Sequence, residues 1–123
     1  MDSRGTILVA DDNEALRSLL TSILTREGYR TVEADDGASA IRLLGEEEID
    51  AAVIDVRLGA DDGVEVSHQL RRLRPGLPIA LMSGSVEASE ARQRGAGLTD
   101  LFLAKPFALE AAAAIVRQML DQD

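Results

Sequence analysis

Charged and polar side chains follow four of the short apolar runs in this chain of 123 residues. In chain order they are Asp11 and Asp12, Asp55, Ser83 and Lys105. Three carboxylates brought close together repel one another and raise at least one carboxyl pKa unless a cation compensates. The set holds oxygen donors without histidine or cysteine, which favours a hard divalent cation, Mg²⁺ or alternatively Mn²⁺.

Each of these aspartates, taken alone, is also explained as a turn or helix-cap residue, because a carboxylate readily accepts hydrogen bonds from backbone N–H groups. That explanation weakens when three carboxylates, a lysine and a hydroxyl occupy corresponding ends of predicted strands. We therefore interpret the residues as parts of one site.

Short β-rich runs alternate with helical patterns five times and predict the elements that must position the site. The predicted strands span 6–10, 30–34, 51–55, 77–82 and 100–104. The predicted helices comprise one with an apolar face from Leu16 to Leu24, one around Ala40 that ends at Gly45, and three at 63–74, 86–94 and 109–120.

This alternation predicts a doubly wound α/β fold, in which helices cover both faces of a five-stranded parallel sheet through right-handed crossovers. The strand at 30–34 alternates polar and apolar residues, so we expect it at or near an edge. Ligands of such sheets bind outside the carboxyl ends of the strands. The predicted fold therefore brings the polar side chains to one rim.

Composition excludes several classes of partner and site. Lysine and arginine total 13 against 22 acidic residues, and the resulting net charge of −9 disfavours nucleic acid. Cysteine is absent, which excludes a disulfide framework or a thiolate metal site. The N-terminal segment has neither a signal-peptide pattern nor a membrane-span pattern, so we predict a cytoplasmic protein without a membrane partner.

Four sequence motifs occur in one order along the chain: LVADDN around Asp11 and Asp12, AAVIDV around Asp55, LMSGS around Ser83, and FLAKPF around Lys105. In this order and spacing the chain resembles a receiver domain of the two-component response regulators. The resemblance covers 1–123 as a single domain and implies the flavodoxin-like receiver fold, with strand order 2-1-3-4-5.

The resemblance assigns roles around the phosphoacceptor, which would be Asp55. Its carboxylate would attack the phosphoryl group of a phosphohistidine. Asp12, Asp55 and the backbone carbonyl of Arg57 would ligate Mg²⁺, and Asp11 would act mostly through bound water. Lys105 would pair with a phosphoryl oxygen.

The resemblance also implies a switch. The Ser83 hydroxyl and the Gly84 N–H would donate to the phosphoryl oxygens, and the Ser83 hydroxyl would move toward them. Phe102 would then turn inward to fill the vacated space. An ordinary apolar strand residue is an equally good interpretation of Phe102.

The chain departs from the family's pattern in the loop after Asp55, where Gly59 replaces the usual proline. We expect a looser loop, in which Asp61 and Asp62 hold Arg57. The family positions that tune hydrolysis are Arg57 and Ser85, and neither side chain offers an amide or carboxylate to orient water. Slow loss of the phosphoryl group is therefore predicted.

The implied function is a phosphoacceptor in a two-component phosphorelay, without a turnover substrate and so not an enzyme. Its partners would be a histidine kinase or histidine phosphotransfer protein and a downstream protein effector, with the chain a monomer or a weak phosphorylation-dependent dimer. A stand-alone regulator and the receiver of a hybrid kinase both fit. The alternatives are a phosphorylation-silent interaction module, a small Mg²⁺-dependent phosphatase with an aspartate nucleophile, and a flavodoxin-like cofactor binder.

Overall fold

The computed structural model describes residues 4–84, 93–94, 97–99 and 101–120. The strands are β1 (Thr6–Ala10), β2 (Arg30–Ala34), β3 (Ala51–Asp55), β4 (Arg57–Leu58), β5 (Asp61–Asp62), β6 (Ile79–Gly84) and β7 (Phe102–Lys105). The helices with full bounds are α1 (Glu14–Arg26), α2 (Gly37–Glu46), α3 (Gly63–Leu73) and α4 (Leu109–Leu120).

Five strands form one parallel sheet in the order β2-β1-β3-β6-β7. The strands β4 and β5 form a separate antiparallel pair. Without that pair, the sheet order is the predicted 2-1-3-4-5. The second strand lies at an edge, as its alternating pattern predicted.

Apolar side chains pack on both faces of the sheet, and successive residues of a strand belong to opposite layers. In β1, Leu8 belongs to the layer under α2 and α3, which includes Leu44 and Leu70. The neighbouring Ile7 belongs to the opposite layer, which contains residues of α1 and α4. Burial of one such aliphatic side chain stabilises the fold by about 1.5–3 kcal/mol, so the two layers hold the sheet rigidly behind its rim.

Three helices begin at the rim with a side-chain cap. Asn13 caps α1, Asp36 caps α2 and Asp62 caps α3, and each side chain accepts a hydrogen bond from a backbone N–H in the first turn. These donors lack partners within the helix, which is why asparagine and aspartate are favoured there. No helix in the described part of the chain has both the length and the apolar character needed to span a bilayer.

The fourth predicted strand was displaced from its true position. The sequence predicted 77–82, whereas β6 spans Ile79–Gly84. The Leu77 N–H donates to the Arg74 carbonyl at 3.1 Å in a turn, and Pro78 has no N–H to give to a ladder. The strand also extends through Ser83 and Gly84, because these residues pair with β7.

Smaller differences occur at other boundaries. The strand predicted at 100–104 is β7 (Phe102–Lys105), and the N–H of Leu101 donates to the Thr99 hydroxyl before the strand begins. The second helix continues one residue past Gly45, and the third ends one residue before Arg74. Most of the helix predicted at 86–94 lies outside the described residues, where only 93–94 are given and are helical.

Candidate functional site

Three carboxylates meet where β1 and β3 end. Asp11 and Asp55 are buried, with 1% and 5% of their surface exposed, whereas Asp12 is exposed. One carboxylate oxygen from each residue lies within 4.8 Å of the others. Parallel strands produce this convergence because their carboxyl ends share one edge of the sheet.

Lys105 brings a positive charge to the cluster from the end of β7. Its Nζ donates to Asp11 Oδ2 at 3.0 Å and also to Asp55 Oδ2. The ammonium is itself mostly buried, with 18% of the side chain exposed. One ammonium therefore faces three carboxylates, which leaves excess negative charge at the cluster.

The pKa values reflect this shared cation. Burial raises the pKa of the Asp55 carboxyl above its usual range, against the opposing effect of the Lys105 ammonium. Burial alone would lower the pKa of Lys105, but its bonds to Asp55 and Asp11 outweigh burial and raise it. The lysine has two carboxylate partners, whereas the two carboxylates share one lysine. This explains why the pKa values of Asp55 and Lys105 are both raised.

Backbone N–H groups fix the orientation of the two buried carboxylates. Asp11 Oδ1 accepts from the Asn13 N–H at 2.9 Å, and Asp55 Oδ1 accepts from the Arg57 N–H at 2.9 Å. Within the described residues, no hydrogen bond or ion pair holds the Asp12 carboxylate. Asp12 is thus the carboxylate whose direction depends on its backbone alone.

A solvent-open cleft of about 300 Å³ lies over the cluster. Besides the three carboxylates and Lys105, it is lined by Asn13, Leu16, Arg57, Gly59 and Gly84. Ser83 is buried at the end of β6, with 3% exposed, and pairs with Ala104 in the register with β7. The structure thus brings Gly84 into the cleft and places Ser83 beside it.

The donor set fits a hard divalent cation. Each aspartate offers a carboxylate oxygen, no nitrogen or sulfur ligand is present among them, and the oxygens lie close enough to share one ion. A divalent cation would also relieve the excess negative charge that Lys105 leaves. The cluster therefore suits the Mg²⁺ or Mn²⁺ predicted from the sequence.

A profile of the response regulator receiver domain matches residues 7–117. The chain belongs to the response regulator receiver domain family. The response regulator MprA of Mycolicibacterium vanbaalenii is 41% identical over 117 residues, which are 93% of this chain and 49% of that protein. MprA of Mycobacterium leprae is 39% identical over the same length. The chain spans about half the length of the curated relatives it matches.

Solved structures agree with this family. The receiver domain of NtrX from Brucella abortus superposes with a TM-score of 0.90 at 26% identity, covering 95% of this chain and 99% of that one. A putative response regulator from Chloroflexus aurantiacus gives 0.88 at 26% identity, covering 96% and 98%. The chain is a receiver domain of the two-component systems, and nothing in these likenesses or in the site supports the alternative functions.

The loop after the Asp55 strand in this receiver domain differs from the expected loose one. Residues 57–62 form the β4–β5 hairpin, in which Gly59 adopts a φ of +64° that glycine tolerates best. Leu58 is fully buried and fixes the hairpin to the core. The loop therefore has a defined path despite the missing proline.

The expectation that Asp61 and Asp62 hold Arg57 was wrong. Asp61 Oδ2 accepts from the Gly37 N–H at 2.9 Å, whereas Asp62 caps α3 and pairs with Arg94. Both carboxylates accept from N–H groups at the starts of α2 and α3, which have no partner within the helix. Among the described residues Arg57 has no ion pair.

Two residues near the receiver site escaped the sequence analysis. Arg17 donates from Nη1 to the Asp11 carbonyl at 2.8 Å, and its position one turn inside α1 was the available signal. Gly63 opens α3, where an added Cβ would lie 1.8 Å from the Asp55 carbonyl oxygen. The available signal for Gly63 was its position directly after Asp61 and Asp62.

Phe102 lies in β7 and is half-buried, in contact with the apolar layer that contains Leu81. That placement agrees equally with a switch residue and with an ordinary strand residue, so the two interpretations stay open. Ser85, the second position expected to affect hydrolysis, lies outside the described residues.

Proposed function

We propose that this receiver domain accepts a phosphoryl group on Asp55 from a phosphohistidine of a histidine kinase or histidine phosphotransfer protein. The observation that carries the proposal is the contact of Lys105 with the buried Asp55, beside Asp11 and at the base of an open cleft. Asp55 ends the central strand, where its carboxylate lies close to both Asp12 and Lys105.

In the transfer, a carboxylate oxygen of Asp55 attacks phosphorus as the phosphorus–nitrogen bond of the donor breaks. The donor histidine leaves, and Asp55 carries the phosphoryl group as an acyl phosphate. Lys105 stays protonated, because its pKa is raised, and pairs with a phosphoryl oxygen. Positioning and charge compensation are the main demands of such a transfer.

The residues that would hold Mg²⁺ are Asp12, Asp55 and the backbone carbonyl of Arg57, with Asp11 acting through bound water. When bound, the ion neutralises the negative charge on the carboxylate and phosphoryl oxygens. The Arg57 N–H already fixes one oxygen of Asp55.

Neighbouring groups would detect the phosphoryl group by donating hydrogen bonds to it. The Gly84 N–H and the Ser83 hydroxyl donate to phosphoryl oxygens, and movement of Ser83 lets Phe102 turn inward. Ser83 and Phe102 lie on adjacent strands, since Ser83 pairs with Ala104. The altered surface binds a downstream protein effector.

The domain has no turnover substrate, and it loses its phosphoryl group slowly by hydrolysis. Arg57 is exposed in the cleft and has no carboxylate or amide with which to orient a water molecule. Replacing it with asparagine should speed the decay of the isolated phosphoprotein about a hundredfold, the lower end of the usual range of general-base effects. Equal decay of the wild type and Arg57→Asn would contradict this role.

We take 1–123 as a single receiver domain that acts in the cytoplasm as a monomer or a weak phosphorylation-dependent dimer. Its net charge of −9 disfavours a direct nucleic-acid partner. A stand-alone regulator and a receiver within a longer hybrid kinase use the same site chemistry.

Mass analysis after incubation with acetyl phosphate and Mg²⁺ tests the proposal. The wild type should gain one phosphoryl group, and Asp55→Asn or pretreatment with EDTA should prevent the gain. Asp62→Asn is the matched control, because Asp62 lies nearby and caps a helix, and it should be labelled like the wild type. A second labelled carboxylate at comparable yield would contradict Asp55 as the single acceptor.

A further inference from the structure

Arg17 makes two short contacts that join the metal-binding turn to the sheet. Its Nη1 donates to the backbone carbonyl of Asp11 at 2.8 Å, and its Nε donates to Glu33 Oε1 on β2 at 2.9 Å. Only 16% of the arginine side chain is exposed, against 45% for Glu33. The planar guanidinium can satisfy both acceptors at once, which a lysine ammonium at the same site would do less well.

Asp11 is fixed from every side by this arrangement. Its N–H donates to the Ala34 carbonyl at 3.1 Å, its carboxylate is held by Asn13 and Lys105, and its carbonyl is held by Arg17. That carbonyl belongs to the peptide unit that leads into Asp12. Arg17 therefore fixes the peptide plane from which Asp12 emerges.

The Asp12 side chain has no partner of its own among the described residues, as noted above. Its direction toward the cleft is set by the backbone of the turn, and the Asn13 cap fixes the far side of that turn through the Leu16 N–H. Loss of the Arg17 contact would remove the donor that holds the Asp11 carbonyl on the near side. The Asp12 carboxylate would then have to be ordered when a cation binds, which weakens binding.

We propose that Arg17, oriented by Glu33, is a positioning residue that sets the Mg²⁺ affinity of the site through the Asp11–Asp12 turn. The proposal rests on the proposed function, because it concerns the same cation. Arg17 is not among the residues that line the cleft and would take no part in the transfer. It acts by holding a ligand in its binding direction before the cation arrives.

Charge alone predicts the opposite result. A guanidinium close to the site repels a divalent cation, so its removal would lower the Mg²⁺ dissociation constant on electrostatic grounds. Positioning predicts that the dissociation constant rises when the guanidinium is removed. The sign of the change therefore separates the two effects.

Calorimetric titration of Arg17→Gln with Mg²⁺ in the absence of phosphate tests the proposal. We expect the dissociation constant to rise about tenfold, which is the lower end of the effect of removing a group that orients a metal ligand. Arg17→Lys should give a smaller rise, because lysine keeps one contact. The matched control is Arg42→Gln, which breaks the exposed pair with Glu46 on α2, away from the cleft, and should leave the constant unchanged.

Amide spectra during the titration confirm that the variant is folded and that the cation binds at the turn. An unchanged or lower dissociation constant in folded Arg17→Gln would overturn the positioning role. Failure of the wild type to bind Mg²⁺ would instead overturn the proposed cation site.

Discussion

Asp55 directly precedes the residue before the β4–β5 hairpin and Asp62 is the last residue of that hairpin, and the two carboxyls have opposite pKa shifts. Burial raises the pKa of Asp55, and the ammonium that opposes this effect is shared with Asp11. Burial also acts to raise the pKa of Asp62, but Arg94 and the first N–H groups of α3 outweigh it and lower the value. The same residue type thus meets unfavourable surroundings at the cleft and favourable ones at the helix cap.

The difference separates two uses of an aspartate. Asp62 has its donors in place, so its charge stabilises the folded chain without further ligands. Asp55 and its neighbours carry a negative charge that the protein only partly compensates. A bound cation would therefore stabilise them, and Asp55 is suited to accept a phosphoryl group. Excess charge at a buried site is therefore the physical basis of the proposed chemistry.

Gly63 joins the two regions, since it follows Asp62 and packs against Asp55. An added Cβ would lie 1.8 Å from the Asp55 carbonyl oxygen, a backbone atom that cannot move aside cheaply. We expect Gly63→Ala to lower the free energy of unfolding by about 3 kcal/mol, the upper part of the usual range for overpacking. Urea unfolding measures this change.

Gly45→Ala is the control for Gly63→Ala. Gly45 lies in α2, and a Cβ there would meet nothing within 4 Å. Alanine should stabilise the helix at that position by about 0.5–1 kcal/mol. If Gly63→Ala changed the free energy of unfolding as little as Gly45→Ala does, the hairpin would move freely and would not fix the Asp55 backbone.

Mg²⁺ should stabilise the folded chain by binding at the carboxylate cluster that contains Asp55. At a concentration tenfold above its dissociation constant the gain is about 1.4 kcal/mol, or about 5 °C in Tm for a domain of this size. Asp12→Asn should raise the metal-free Tm by reducing repulsion, and it should abolish the response to Mg²⁺. Thermal melts with EDTA and with Mg²⁺ measure both, and an unchanged response in Asp12→Asn would place the ion elsewhere.

Asp62→Ala should cost about 1 kcal/mol at pH 7, the usual value of a helix N-cap. Because the folded pKa of Asp62 is lowered, its stabilising charge is fully present above the unfolded pKa of about 3.9. The contribution is lost as the pH falls through the folded pKa. The gap in unfolding free energy between wild type and variant should therefore narrow below pH 4, and a constant gap would show that the charge contributes nothing.

The sequence was sufficient for the first three strands of the sheet and for the carboxylate cluster. The strands at 6–10, 30–34 and 51–55 were predicted to the residue, because an apolar run or a polar alternation ends there at a charge or a turn. Convergence of Asp11, Asp12 and Asp55 then followed from parallel pairing alone. Local pattern and topology agreed at these positions.

The partners of Asp61 and Asp62 could not be predicted in the same way. Asp61 binds the Gly37 N–H, 24 residues away, and Asp62 pairs with Arg94, 32 residues away. Neither separation leaves a periodic signal, and Arg57 was the nearer cation in sequence. Ion pairs and caps between distant elements depend on the final packing, which the hydrophobic pattern does not specify.

Asp55→Asn gives the smallest expected effect on stability and the sharpest test of the comparison. The folded pKa of Asp55 is raised by burial, so in the wild type stability is lost as the pH rises from the unfolded pKa through the folded one. The Asp55→Asn variant does not lose stability in this way, but Lys105 then keeps only Asp11 as its ionic partner, and this reduces the gain in stability.

In EDTA the Asp55→Asn variant should have a slightly larger free energy of unfolding than the wild type at pH 7. This difference should shrink toward pH 4, whereas the difference between Asp62→Ala and the wild type stays constant over that range. Urea unfolding at the two pH values measures this trend. An advantage that grows toward pH 4 would mean that Lys105 compensates the Asp55 charge completely and that the carboxylate at the cleft is as well satisfied as the one at the cap.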